Sequence, residues 1–282
     1  MTAWRLLVTE PQDGATNMAV DEALLRSRLS GDGPPTVRFF AWDPPTISLG
    51  YGQRLDAAIN LSLATGVGIG LVRRPTGGSA VYHDSWEREV TYSVVASSDD
   101  HPGFDDLLET YRIIGSALVS GLRRLGVRAD LVPARRLPGG PPAFCFARTG
   151  SYEVEVEGKK IIGSAQRRQG GAFLQHGSIL LGANAERLRA LFPQDAPLRE
   201  MTTIEAVLDC RPSFGETVEA MVSGFEAVFG TRLSPGEISG TERLLIDRLV
   251  LAKYAAPAWT ERGEVRLDLE ETSRPRTPAR SC

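Results

Sequence analysis

The sequence is poor in the residues that most often bind metal ions or form disulfides. It contains only three cysteines and three histidines among its 282 residues. No two cysteines form a C-x-x-C pair and their number is odd, which argues against a disulfide framework and against a structural zinc site. The histidines do not form an H-E-x-x-H motif, so a zinc protease of that class is excluded.

Several nucleotide-binding and hydrolase motifs are also missing. The sequence has no G-x-x-x-x-G-K-[ST] phosphate loop, no G-x-S-x-G nucleophile elbow and no G-x-G-x-x-G dinucleotide motif. No apolar run approaches the roughly 18 residues of a membrane span, and the start lacks the apolar core of a signal peptide. The formal net charge of −3 gives no overall attraction to nucleic acid or to an anionic membrane. We therefore expect a soluble, cytoplasmic protein with neither as a partner.

The spacing of apolar residues predicts a β-rich centre with inserted helices and a helical C-terminal part. Amphipathic helices are predicted at 17–29 and 104–126, and Asn17 is the expected N-cap of the first. The alternation in YEVEVEG at 152–158 predicts a half-exposed strand. This order of elements favours an α+β fold with a mixed, largely antiparallel sheet.

The stretch RRPTGGSAVYHD at 73–84 is the most specific local signal. Gly77 and Gly78 lack a Cβ, so the backbone can bend sharply there and approach a ligand closely. The N–H groups of such a loop can hold a carboxylate, a phosphate or a thioester carbonyl. Arg73 and Arg74 point to opposite faces of the incoming strand, so we expect only one of them to face the ligand. The stretch alone is equally compatible with a plain hairpin turn that carries two solvated arginines.

Four stretches, in this order along the chain, resemble the motifs of one enzyme superfamily. NMAVDEALL at 17–25 resembles its N-terminal helix, and RRPTGGSAVYHD is similar to R-R-x-x-G-G-x-A-V-x-H. GKKIIGSAQ at 158–166 is similar to G-[RK]-K-[IV]-x-G-[SN]-A-Q, and QHGSILL at 175–181 to H-G-[ST]-[IL]-L. These motifs are typical of the lipoate-protein ligase and octanoyltransferase superfamily, which shares its catalytic fold with biotin protein ligases. The resemblance covers about residues 5–250, and four ordered motifs outweigh the hairpin interpretation.

The resemblance implies a biotin/lipoate protein ligase-like catalytic domain over residues 1–260. Residues 261–282 are polar, and we expect them to form a poorly ordered tail. The family also implies a tunnel for a medium-length acyl chain, a functional lysine at Lys160, and no cofactor or metal ion. The residues that it assigns to acyl binding are Arg73, Arg74, Gly77, Gly78, His83, Gly163, Ser164, Ala165, His176 and Gly177.

Cys145 distinguishes between members of this superfamily. Lipoate-protein ligases activate a free acid with ATP and need no cysteine. One class of bacterial octanoyltransferases instead has a cysteine before a Y-E-[VIL] strand and the G-[RK]-K segment. Cys145 resembles that cysteine in its placement, fifteen residues before Lys160. That class usually has an acidic residue where this sequence has Ala147, and glycine or arginine is common where it has Ser79.

The expected reaction is octanoyl transfer through a thioester on Cys145. A nearby cation favours the thiolate over the thiol, and Lys160 is the expected cation. The implied donor is octanoyl-acyl carrier protein. The implied acceptor is a lysine of a lipoyl-domain protein, such as the glycine cleavage H protein or a 2-oxoacid dehydrogenase E2. Arginine pairs at 123–124, 135–136 and 167–168 are either docking positions for these acidic proteins or ordinary solvated side chains.

Three other activities stay open at this point. The chain can be an ATP-dependent lipoate or octanoate ligase in which Cys145 is incidental. It can be an amidotransferase that moves octanoyl groups between lipoyl-domain proteins, although those enzymes carry their cysteine in a different loop. It can also be a binding protein that only sequesters an acyl or biotin-like ligand. Free cysteines are often buried and inert, so the residues alone favour a structural thiol between two phenylalanines at Cys145, and the family resemblance outweighs that interpretation.

Overall fold

The computed structural model describes residues 3–55, 59–133, 152–193 and 200–265. Within these ranges the strands are β1 (Trp4–Val8), β2 (Thr36–Phe40), β3 (Thr46–Leu49), β4 (Gly70–Arg73), β5 (Val81–His83), β6 (Glu89–Ser97), β7 (Asp130–Val132), β8 (Glu153–Val156), β9 (Lys159–Gln169), β10 (Ala172–Leu180) and β11 (Leu233–Pro235). The helices are α1 (Gly14–Ser30), α2 (Leu61–Gly66), α3 (Leu107–Arg124), α4 (Ala185–Leu191), α5 (Ile204–Leu208), α6 (Phe214–Phe229), α7 (Gly240–Leu249) and α8 (Pro257–Arg262). A π-helical segment, Val250–Tyr254, follows α7 directly.

Eight strands form one mixed sheet in the order β11-β1-β2-β6-β10-β9-β8-β7. Strand β1 runs parallel to β2 and β11, whereas the other neighbours in this sheet are antiparallel. Strands β4, β3 and β5 form a second, smaller sheet. The expected α+β fold with a mixed, largely antiparallel sheet flanked by helices is confirmed.

Apolar cores cover both faces of the large sheet. Val94 packs with α3 and α6, while the next residue of β6, Val95, packs with α1 and α7. Successive side chains of a strand point to opposite faces, so the helices form one layer on each side. A third apolar cluster joins the small sheet to α2, α4 and Leu180 at the end of β10. The small sheet is thereby held against one face of the large one.

Helix α1 begins earlier than the sequence predicted. Its N-cap is Asp13, whose carboxylate accepts a backbone N–H of the first turn at 2.8 Å. The predicted N-cap, Asn17, is buried inside the helix, where its amide donates to the carbonyls of Gln12 and Ala41. The N-cap prediction was wrong because Asn17 binds the end of a neighbouring strand instead of its own helix terminus.

Strand β8 is more deeply buried than its alternating sequence predicted. Glu153 and Glu155 are each only 7% exposed, like the valines that follow them. A buried charge is costly unless it is paired, and Glu153 forms an ion pair with Lys160. The alternation therefore predicted the strand correctly, but the face that we expected to be solvated is buried.

At the C-terminal end, the described residues include only the first part of the predicted tail. Glu261 and Arg262 belong to α8, and residues 266–282 lie outside the described ranges. Helix α2 starts at Leu61, with Asn60 as its N-cap. None of the helices in the described part of the chain has the length and apolar character needed to cross a bilayer.

Candidate active site

A small cavity lies between the two sheets. Seven of the residues that we assigned to acyl binding line it: Arg74, His83, Gly163, Ser164, Ala165, His176 and Gly177. The remaining lining residues are Met18, Trp42, Ser48, Val81, Thr91 and Ser178. The motifs that lie far apart in sequence therefore meet around one cavity.

Arg74 holds the glycine loop in place through hydrogen bonds to its carbonyl groups. Its guanidinium is buried and donates to the carbonyl oxygens of Gly77 and Ser79, each at 2.7 Å, and to the carbonyl of Ser48 at 3.0 Å. Gly78 has a φ of 90°, a backbone conformation that glycine adopts without steric cost. Gly77 and Gly78 are not part of the cavity wall, but Arg74, which holds their loop, is.

Arg73 lies outside the cavity wall and joins separate parts of the backbone. The acceptors of its guanidinium are the carbonyls of Gly50, Tyr51, Gln53, Trp259, Thr260 and Glu261. The last three belong to α8, and cations are favoured near the C-terminal ends of helices. Arg73 thus fixes the end of β4 to α8 and to the loop after β3. The loop after β3 lies close to the glycine loop, since a Cβ on Gly50 would lie 1.7 Å from the carbonyl oxygen of Gly78.

His83 forms a rigid part of the cavity wall. Its ring stacks on Trp42 with centroids 3.9 Å apart and planes inclined by 16°. Nδ1 lies 2.7 Å from Oε1 of Glu89, and Nε2 lies 2.8 Å from Oγ of Ser48. Both ring nitrogens are therefore engaged, which fixes the orientation of the imidazole.

His176 connects strand β10 to the glycine loop. Nδ1 lies 2.9 Å from Oδ2 of Asp21, and Nε2 lies 2.7 Å from Oγ1 of Thr76. Burial lowers the pKa of His176, although Asp21 opposes this effect. The imidazole is therefore neutral at pH 7, with Nδ1–H donating to Asp21 and Nε2 accepting from the Thr76 hydroxyl. His176, which lines the cavity, therefore fixes the position of Thr76, the residue before Gly77.

Asp21 is a buried residue of the site that the sequence analysis did not single out. Burial alone would raise its pKa, but the hydrogen bond from His176 and the Arg38 guanidinium, 2.9 Å away, lower it below its ordinary value. Arg38 and Asp21 are both fully buried. The sequence did contain one signal for Asp21, which is its position as a carboxylate among the apolar residues of α1. Trp42, Ser48 and Thr91 line the cavity but belong to none of the four motifs, and Ser178 lies in the QHGSILL motif without having been assigned to acyl binding.

The glycines of β9 and β10 make room for a tyrosine beneath the cavity. A Cβ on Gly177 would lie 2.2 Å from the carbonyl oxygen of Gly163 and 2.9 Å from the ring of Tyr92. The Tyr92 hydroxyl therefore reaches Ser164 across β10, with an O–O distance of 2.8 Å. Burial raises the pKa of Tyr92 to about 12, so the phenol stays protonated at neutral pH.

A β-bulge turns Lys160 toward the cavity side of the sheet. In the pairing of β8 with β9, Val154 lies opposite Ile162, but Glu155 lies opposite Lys160, so Ile161 is an extra residue. Ile161 and Ile162 are both fully buried in the core beneath α3. Bulges redirect the side chains that precede them. Lys160 consequently shares the face opposite α3 with Glu155.

The side chain of Lys160 is buried and paired. It is 1% exposed, and its Nζ lies 2.8 Å from Oε1 of Glu153. Gly163 and Ala165, which line the cavity, follow on the same face of β9 because strand residues alternate. The predicted functional lysine and the acyl-binding motif therefore lie along one strand face.

The predicted nucleophile, Cys145, lies outside the described residues, as do Arg135 and Arg136. The described strands before and after that segment, β7 and β8, are antiparallel neighbours at the edge of the large sheet. Strand β8 carries Glu153, the partner of Lys160.

Comparisons with known proteins agree with this arrangement. The family described as lipoyl protein ligase A/B catalytic domain matches residues 13–226. The octanoyltransferase LipM of Kyrpidia tusciae is 45% identical in an alignment of 278 residues that covers 93% of this chain and 100% of that protein. LipM of Brevibacillus brevis is 41% identical over 93% of this chain and 100% of its own length. A crystal structure of lipoate-protein ligase A bound with ATP superposes with a TM-score of 0.77 and 30% identity, covering 93% of this chain and 99% of that one.

Proposed function

Because the chain belongs to the family of the lipoyl protein ligase A/B catalytic domain, we propose that it transfers an octanoyl group from octanoyl-acyl carrier protein to a lipoyl-domain lysine, as the octanoyltransferases similar to it suggest. The transfer proceeds through a thioester on Cys145, in the cytoplasm. The acceptors that we propose are lipoyl-domain proteins such as the glycine cleavage H protein or a 2-oxoacid dehydrogenase E2.

The observation that carries this proposal is the cavity and the lysine beside it. The cavity wall contains residues of four motifs that an octanoyltransferase is expected to use for its acyl chain. Removing each CH₂ of the chain from water contributes about 0.8 kcal/mol, so contact of the acyl chain with the mostly apolar cavity wall favours binding. Lys160 lies farther along the strand that forms one wall, on the cavity side of the sheet.

In the first step, the Cys145 thiolate attacks the thioester carbonyl of the donor. A free thiol has a pKa of about 8.5, and the Lys160 ammonium favours the ionised form in our proposal. A carbon–sulfur bond to Cys145 forms, the bond to the carrier's sulfur breaks, and the carrier thiolate leaves and takes up a proton. One thioester replaces another, so the step needs no ATP.

In the second step, the acceptor lysine attacks the acyl-enzyme. Its amine has an ordinary pKa of about 10.4 and must lose a proton before it can attack. The carbon–nitrogen bond forms, the nitrogen releases a second proton to water, the bond to Cys145 breaks, and the sulfur returns to its thiolate form. Backbone N–H groups of Gly77 and Gly78 are our candidates for binding the oxyanion, since Arg74 and His176 fix the loop that carries them.

Intact-protein mass spectrometry tests the proposal directly. After incubation with octanoyl-acyl carrier protein, the wild type is expected to gain one octanoyl group that hydroxylamine removes. Cys145→Ser is expected to gain none and to lose transfer to a lipoyl domain. Cys210→Ser, which changes an exposed cysteine, is the matched control and should behave like the wild type. Full transfer by Cys145→Ser contradicts the thioester route.

A second candidate, ATP-dependent ligation, has one observation in its favour. The lipoate-protein ligase A structure bound with ATP covers 93% of this chain at 30% identity. The same assay separates the two activities, because a ligase acylates the lipoyl domain only when ATP and the free acid are present. Transfer from one acylated lipoyl domain to another, without carrier protein or ATP, would identify an amidotransferase instead.

A further inference from the structure

We propose that Glu153 is a positioning residue, which keeps the Lys160 side chain charged and fixes its direction. The inference rests on the proposed function, because the charge on Lys160 matters only if it acts on Cys145. It extends that function by assigning a role to the glutamate of the Y-E-[VIL] strand motif, to which the sequence analysis gave no role.

The geometry fixes Lys160 at both ends of its side chain. Its backbone N–H donates to the carbonyl of Glu200 at 2.8 Å, and its carbonyl accepts from the N–H of Thr202 at 2.9 Å. Its Nζ lies 2.8 Å from Glu153 Oε1. Because backbone and ammonium are both held, the direction of the side chain depends on the carboxylate.

The charge of Lys160 depends on the same contact. Burial disfavours an ammonium group, and an opposite charge within about 4–6 Å favours it. Strand β8 places two carboxylates on the face of Lys160, Glu155 directly opposite in register and Glu153 within contact distance. On the other side, residues 200–202 bind through their backbone, and the Glu200 side chain is exposed. Glu153 therefore makes the direct contact that favours a charged Lys160.

The position of Glu153 in the chain suits this role. It lies eight residues after Cys145 (153 − 145) and begins the strand that follows the nucleophile's segment. A displacement of β8 would therefore move the carboxylate and the end of that segment together. One short strand couples the nucleophile's attachment point to the cation that ionises it.

Nitrogen-15 NMR of the lysine ammonium groups tests the contact without requiring activity. The chain has only Lys159, Lys160 and Lys253, so three signals are expected, which lysine-to-arginine variants assign. In Glu153→Gln the titration midpoint of the Lys160 signal should fall by at least about one pH unit, while Glu155→Gln should move it less. Glu22→Gln is the control for the method, because it should move the Lys253 signal and leave that of Lys160 in place. An unchanged Lys160 midpoint in Glu153→Gln overturns the inference, and so does an equal shift in Glu155→Gln.

The pH dependence of Cys145 alkylation links the contact to the nucleophile. In the wild type, alkylation by iodoacetamide should extend to lower pH than for an ordinary thiol. Glu153→Gln should lose at least about tenfold in its rate at pH 7, and Glu153→Asp should recover part of the loss. An unaffected rate in Glu153→Gln, combined with a slowed one in Lys160→Met, rejects the role of Glu153 and leaves the proposed function standing. An unaffected rate in Lys160→Met removes the cysteine–lysine pairing from the proposed function itself.

Discussion

Lys160 and Lys253 make the same contact in two different surroundings. Both side chains are buried, and each ammonium lies against one glutamate, at 2.8 Å from Glu153 and 2.6 Å from Glu22. They are two of only three lysines among 32 basic residues. Elsewhere the chain uses arginine, even for buried ion pairs such as that of Arg38.

The surroundings of Lys253 indicate a structural role. The residue lies in the π-helical segment after α7, with its Nζ 4.1 Å from the centroid of the Trp259 ring. Glu22 also accepts hydrogen bonds from Tyr254 and Arg26. Burial lowers the pKa of Lys253, although Glu22 opposes this effect. The ion pair ties α1 to the C-terminal helices through groups that already have partners.

Lys160, in contrast, lies at the end of a bulged strand on the side of the cavity. Its glutamate belongs to the strand that leads directly from the segment of Cys145. Burial and an ion pair do not by themselves distinguish Lys253, whose surroundings indicate a structural role, from Lys160, for which we propose a role in catalysis. The two lysines differ in that Lys160 lies on the face of β9 that also lines the cavity.

The largest expected effect separates the two lysines by activity. We expect Lys160→Met to lower octanoyl transfer by about 10²–10⁴-fold, the usual range for the loss of a positioned proton-transfer or charged group. Lys253→Met should retain turnover when it is assayed well below its melting temperature, although that temperature falls. Steady-state transfer to a lipoyl domain, with circular dichroism to verify folding, provides the measurement. Equal losses of turnover in two folded variants would remove the distinction.

The next effect concerns the stability that Glu22 provides. Burial alone would raise the pKa of Glu22, but Lys253 and Arg26 lower it from 4.5 to about 2. A carboxyl whose pKa is lower in the folded state stabilises the fold above its unfolded pKa, and this contribution is lost as the pH falls. The free energy of unfolding should therefore be about 3 kcal/mol lower in Glu22→Gln at pH 7.

That difference should shrink between about pH 4.5 and pH 2, the interval in which the wild-type carboxyl becomes protonated. Urea unfolding at a series of pH values measures it. Asp13→Asn, which changes an exposed N-cap of the same helix, is a control for general effects on α1. A difference that stays constant down to pH 2 would mean that the ion pair does not account for the stability.

The motifs predicted which residues form the site better than they predicted which residues contact each other. The residues of the glycine loop, of β9 and of β10 could be assigned because the family resemblance carries over position by position. It does not carry over partners, so the Asp21–His176–Thr76 connection had to come from the fold. Asp21 lies 155 residues from His176 in sequence, and no local pattern links them.

The strands were predictable from alternation, but the bulge at Ile161 was not. In the sequence, residues 161–163 (IIG) are what an uninterrupted strand would contain. The pairing of β9 with β8 is what shows that Ile161 has no residue opposite it. The same limitation explains the error on β8, since alternation reports a polar face without showing whether a buried cation covers it. The assignment of Cys145 as the nucleophile remains a prediction from sequence.

The smallest expected effect tests which cation stabilises Glu22. Arg26 follows Glu22 by four residues on α1, in the favourable order for a helical ion pair, and lies 2.6 Å from it. The Arg26 side chain is 23% exposed, and such pairs usually contribute about 0.5 kcal/mol or less. Arg26→Gln should therefore lower the free energy of unfolding by about 0.5 kcal/mol, several times less than Lys253→Met. In a Glu22→Gln background the same change should have almost no effect, because the partner is gone. If Arg26→Gln instead destabilised the protein as much as Lys253→Met, burial of the lysine would not explain the stability, and the contrast between Lys253 and Lys160 would rest on the cavity alone.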